Sequence, residues 1–232
     1  MQEASSQTAS QFNSWYMYFG NHKLNDNFSL HTEYQFRRHG VIQEWQQSLA
    51  RIGLDYKITD QAMITGGYAW IVSFPYGEQP IPLSFAEHRI WQQLITTQKL
   101  MRVSLQHRYR LEQRFLQNVA LNANSEKEVE GYRFRQRARY RIMATVPLSK
   151  KSLEDNTLFL ALYEEAFLGF GEGIGPNILD QNRLYAALGW RFDASSNVQL
   201  GYLFHKVFKA DGVQQENNHT FQVAWTKNLA FN

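Results

Sequence analysis

Residues Tyr132 to Ile142 read Y-R-F-R-Q-R-A-R-Y-R-I, with Arg133, Arg135, Arg137, Arg139 and Arg141 on every second position. A period of two puts the five guanidinium groups on one face of a strand and a mostly apolar row on the other. A helix would scatter the same arginines around its circumference. In a soluble sheet the apolar face would cover a core and the charged face would meet water. Here neighbouring segments repeat the pattern at lengths soluble strands seldom reach. That combination predicts an all-β chain closed into one antiparallel transmembrane barrel, apolar outside and charged within.

The alternation recurs almost end to end. It predicts strands near 12–20, 27–38, 44–58, 61–74, 87–99, 102–115, 131–146, 157–168, 180–193, 197–208 and 217–228. Many reach about 13 residues, against five or six in a typical soluble strand. Thirteen residues tilted near 40° rise roughly 33 Å, enough to cross a bilayer. Faces follow strand by strand: Phe28, Leu30, Thr32, Tyr34 and Phe36 outward, and His31, Glu33, Gln35 and Arg37 inward. Trp15, Trp70, Tyr109, Trp190 and Trp225 are read as outward girdle aromatics. Short links at Thr59-Asp60, Lys99 to Met101 and Asp193 to Asn197 fit a periplasmic side. Longer stretches at 75–86, 116–130, 169–179 and 209–216 fit external loops. The segments number eleven, but bacterial barrels normally close with an even count, so twelve strands are expected, with ten as the alternative. The organisation expected is a flexible segment 1–11 and a barrel over 12–229.

The 232 residues include no cysteine, which removes disulfides and thiolate metal sites. No run is long and apolar enough for a transmembrane helix. The polar stretch Gln2 to Ser14 has no signal-like apolar centre, so a mature exported chain with its signal peptide removed is expected. A net charge of +3 implies no nucleic-acid partner.

The segments His88 to Leu94, Gln106 to Phe115, Tyr132 to Arg135, Asp180 to Tyr185, Leu188 to Arg191, Gly201 to Phe204 and Asn217 to His219 together resemble an uncharacterised barrel family. It is the domain of unknown function two-four-nine-zero, common in Bacteroidetes-type bacteria. The resemblance covers roughly residues 12–228. It implies a bacterial outer-membrane location with lipid around the wall, and no established activity. The ending Leu229-Ala230-Phe231-Asn232 departs from the usual aromatic terminus of such barrels.

The candidate site is the lumen. Its expected basic ladder is Arg102, Arg108, Arg110, Arg114, Arg133, Arg135, Arg137, Arg139, Arg141, Arg183 and Arg191. Charges in a narrow interior need partners, and Glu33, Asp55, Glu87, Glu112 and Glu165 are the expected counter-charges. Such a ladder either seals the barrel or leaves a positive interior that favours anionic solutes. An envelope protein bound through loops or wall is a second expectation. Neither a cofactor nor a metal is implied, since the histidines lack ligand spacing. His205, Asp211, Glu216 and His219 flank one loop and are the only set resembling a rim hydrolase; no enzyme is expected. The run Gly169 to Gly175 lacks the lysine and helix of a phosphate-binding loop.

Overall fold

A computed structural model describes residues 7–171, 174–175 and 177–231. They form eleven strands, with no helix among the described residues: β1 Gln7–Lys23, β2 Phe28–His39, β3 Glu44–Thr59, β4 Ala62–Ser73, β5 Phe85–Leu100, β6 Val103–Leu121, β7 Lys127–Pro147, β8 Thr157–Phe170, β9 Leu179–Asp193, β10 Ser196–Phe208 and β11 Gln214–Lys227. Each pairs with its sequence neighbours in antiparallel fashion. β1 and β11 close the barrel in parallel, from Gln7 opposite Gln214 to Phe19 opposite Thr226.

That seam corrects the expectation of an even count. Ten hairpin links leave β1 and β11 pointing the same way, and a parallel ladder closes them without an extra strand. The barrel also begins at Gln7, upstream of the expected start at Phe12; residues 1–6 lie outside the described part.

The register fixes the tilt. From Lys23 the paired residues run through Ser29, Asp55, Thr65, Gln93, Arg110, Arg139, Phe167, Gln181, Val207 and Glu216, and return to β1 at Ala9. A stagger of that size over eleven strands means a tilt of roughly 40°. The shortest strands, of 12 residues, then rise roughly 30 Å.

Connections 24–27, 60–61, 101–102, 148–156 and 194–195 lie at one mouth, and 40–43, 74–84, 122–126, 171–178 and 209–213 at the other. Of the four expected long loops, 75–86 is found at 74–84, 209–216 shortens to the five residues 209–213, and 169–179 falls partly outside the described residues. The fourth, 116–130, is mostly strand, because β6 and β7 continue past the other strands to a short turn. The first mouth, expected to carry only short turns, has the longer 148–156, which tucks Leu153 against the interior cluster.

The outer rows are exposed and largely apolar, as in Ile52, Leu54, Tyr56 and Ile58 on β3 and Leu184, Leu188, Trp190 and Phe192 on β9. The inner rows are buried. Trp15 departs from the expected girdle: it is 2% exposed and points inward, whereas Trp70 and Trp225 are 48% and 49% exposed. Inward glycines make room for large rings. A Cβ on Gly67 would come within 2.7 Å of the Trp91 ring, and Gly189 lies directly under Phe159.

Candidate functional site

The inner rows enclose a cavity of about 730 Å³, lined from Asn228 and Met63 at the short-turn mouth to Phe208 and Ile81 at the loop mouth. Its wall is uneven around the circumference. β1, β8, β9 and β10 supply an apolar cluster of Trp15, Phe159, Ala161, Tyr185, Ala187 and Leu203. β5, β6 and β7 supply most of the charge.

Glu112 is the hub of that charge. Its Oε1 accepts from Arg139 at 2.8 Å and Arg89 at 3.2 Å, and its Oε2 from Arg137 at 2.7 Å. Glu165 accepts from Arg108 at 2.6 Å and Arg139 at 2.8 Å. Glu87 accepts from Arg89 at 2.6 Å and Arg114 at 2.9 Å, and Glu33 pairs closely with Arg51. The register produces this lattice by setting Glu112 opposite Arg137 on β7 and Arg89 opposite Arg114 on β6.

Five of the expected residues sit otherwise. Arg102 is not in the ladder: it lies in the β5–β6 turn, donating to the carbonyls of Pro147 and Lys150. Arg133 is on the inward-facing row but stands above the other strands, exposed, donating to Asn118 at 3.0 Å. Arg135 is half-buried near the same rim. Arg191 closes the opposite mouth, donating to the Leu153 carbonyl at 2.9 Å, with Asp155 at 3.8 Å. Asp55 is buried in the lumen, yet its carboxylate accepts from Thr65 and Asn21 rather than from an arginine.

Four buried or half-buried lumen arginines have glutamine, not carboxylate, as hydrogen-bond partner. Arg37 donates to Gln35 at 2.8 Å and Gln47 at 2.6 Å. Arg110 donates to Gln93 at 2.6 Å, Arg141 to Gln106 at 2.6 Å, and Arg183 to Gln181 at 3.2 Å. A neutral amide satisfies the N–H groups without cancelling the charge. Aromatic faces take part of the cost: Arg37 lies 3.8 Å over Trp15, Arg110 4.8 Å over Trp91, and Arg183 4.6 Å over Phe167. The interior therefore carries excess positive charge.

The loop mouth is covered. The 74–84 segment crosses it, with Tyr76 donating to Glu216 of β11 at 3.4 Å and Lys209 donating to the Gln79 carbonyl at 3.5 Å. Gly77 holds a φ of 67° with Gln11 of β1 pressed against it, a conformation and a closeness that exclude a side chain. The four rim residues do not form one cluster: His205 faces the lumen and His219 the outer wall, where Tyr202 bonds it at 2.6 Å. Glu216 is engaged by Lys209, and Asp211 accepts from the N–H groups of Val213 and Gln214, which hold its carboxyl below the usual range. Of the glycine run, Glu172 and Gly173 lie outside the described residues.

The family model described as "Protein of unknown function (DUF2490)" matches residues 12–217, from β1 to the start of β11. The chain belongs to this family. No curated protein and no solved structure matches it significantly.

In this DUF2490 chain, a reading of the sequence sets Gln35 inward and Glu216 at the rim, but it gives the glutamines no arginine partner and misses Asp180 and Glu216 as lumen acids. Gln35 and Gln181 are within its reach, because each sits two residues before its arginine and so on the same face. Gln93 and Gln106 are not, because the register between strands brings them to Arg110 and Arg141.

Proposed function

We propose that this DUF2490 protein is an outer-membrane β-barrel whose lumen is a narrow, anion-favouring passage. The observation that carries the reading is the inverted wall: exposed apolar rows outside, buried arginine rows inside. A soluble sheet does the reverse. Exposed aromatics near both ends of the wall support it, Tyr56 and Trp190 toward the short-turn mouth and Trp45 and Tyr132 toward the loop mouth. Such amphipathic rings favour the boundary between acyl chains and headgroups. Lipid is then the partner of the outer wall. The excess of guanidinium over carboxylate supplies the anion preference by the logic of charged pore rings. Purified barrel in a planar bilayer under a potassium chloride gradient is expected to give small ohmic currents whose reversal potential lies toward that of chloride. Silence at every voltage would sink the passage, and a shift toward potassium would sink its selectivity.

The second reading, an envelope interaction subunit, is favoured by one feature. β7 from Lys127 to Arg135 has no β8 partner among the described residues, since that ladder begins at Gln136 opposite Phe170. Unpaired strand edges are templates for another chain. Shortening the hairpin across 119–129 is expected to release a stoichiometric envelope protein from native-membrane preparations. Identical co-purification with and without the hairpin tip would refute the reading.

A further inference from the structure

Two of the glutamine-bonded arginines meet at one place. Trp15 on β1 is held by its indole N–H, which donates to Gln46 at 2.6 Å. Arg37 reaches it from β2 and Arg183 from β9, their guanidinium carbons 3.8 Å and 5.0 Å from the same ring. His205 meets that ring edge-on at 5.6 Å and shares Gln181 with Arg183. Arg37, Arg183 and His205 are only 8%, 8% and 5% exposed, and all three line the cavity.

Like charges gathered at one aromatic ring repel, and an arrangement of this kind elsewhere in the same lumen is neutralised by a carboxylate. Glu165 lies opposite Arg183 in the register, but its Oε1 accepts from Arg108 and Arg139, and it makes no ion pair with Arg183. Arg183 Nε and His205 Nδ1 are buried polar atoms without a hydrogen-bond partner among the described residues. Two guanidinium groups without an ion-pair partner and a spare Arg183 Nε–H at a cavity wall match a compact dianion better than a monovalent one.

We propose that the Trp15–Arg37–Arg183 cluster is a binding site for phosphate-type oxyanions within the lumen. The proposal deepens the anion-favouring reading and names the chemical class of its solute. Arg37 and Arg183 supply charge-assisted donors, the glutamines hold both heads without neutralising them, and Trp15 fixes their spacing. Phe167, 4.6 Å under Arg183, restricts that head in the same way.

Trp15 provides the readout. Titrating the detergent-folded barrel with inorganic phosphate at constant ionic strength is expected to change tryptophan emission saturably, with no such response to chloride. Trp15→Phe should remove the signal. Gln181→Glu gives Arg183 a carboxylate of its own, and is expected to weaken phosphate binding by about tenfold or more while the barrel stays folded. Arg183→Gln should do the same, and Arg133→Gln, above the rim, should bind as the parent does. If Arg183→Gln fails to fold, Gln181→Glu decides. Absence of saturation in the parent, an equal response to chloride, or unchanged affinity in Gln181→Glu overturns the site. The titration needs no current, so binding without conductance removes only the passage, and anion-selective conductance without binding removes only the site.

Discussion

Glu112→Gln is expected to cost the barrel about 3–5 kcal/mol, the range for breaking a buried ion pair by removing one partner. Glu112 is 1% exposed and is the carboxylate that Arg89, Arg137 and Arg139 share. Glutamine keeps the shape and one acceptor but cancels the charge, leaving three guanidinium groups to repel one another across β5 and β7. Arg139 retains Glu165, and Arg89 retains Glu87, so the loss should not abolish folding. Glu164→Gln is the matched control, since that carboxylate faces outward and bonds Asn182 at 3.1 Å. Urea unfolding of both variants in lipid vesicles measures the difference. A Glu112→Gln midpoint equal to that of the control would mean the lattice is ornamental. Adding Arg139→Gln to Glu112→Gln should recover part of the loss, because an unneutralised cation leaves with it.

Excising residues 76–83 is expected to raise single-channel conductance by roughly threefold or more, as removal of a constriction does. Ser73 and Phe85 are paired across β4 and β5, so a two-glycine turn joins the strand ends without moving the wall. What leaves is the Tyr76 ring, its bond to Glu216 and the carbonyl held by Lys209. Gly77→Val tests the same segment more gently, by setting a β-branched side chain where φ is positive and Gln11 is in contact. It should raise conductance in the same direction by a smaller amount. Unchanged conductance in the excision variant would place the limiting constriction lower, in the Glu112–Glu165 lattice.

The strands are legible in the sequence because a period of two sustained at such length is incompatible with a helix, and eleven segments show it without any knowledge of pairing. Faces are legible wherever the two rows differ in polarity, as on β2 and β7. They fail on β1, where Phe12, Tyr16 and Tyr18 alternate with Trp15, Met17 and Phe19, and both rows look alike. That likeness is what turns Trp15 outward on paper and inward in the fold. β6 and β7 run longer than their pattern suggests because 117–130 is rich in Asn, Glu and Lys, with only Val119, Leu121 and Val129 to mark an outer row. The ladder is legible as composition, but its pairing is not. Which arginine meets Glu112 depends on a register spread over β5, β6 and β7. Arg102 illustrates the limit: it has the parity of an inward residue, but the chain turns at Met101 (φ 53°) and takes it out of the wall. The lid lies further from reach, since Tyr76 and Glu216 are distant in sequence and no local pattern links them.

The parallel seam between β1 and β11 limits how a chain of this kind can be rearranged. Gln7 lies at the loop mouth and Lys227 at the opposite one, a full wall height apart, so no short peptide can join them and open the ring elsewhere. Circular permutation, simple in an even barrel whose first and last strands form a hairpin-ready pair, is closed to this fold. Growth is constrained too. Adding or deleting a hairpin changes the strand number by two and leaves the seam parallel. Only gain or loss of a single strand converts an antiparallel closure into this one, and that step reverses the side on which one end of the ring emerges.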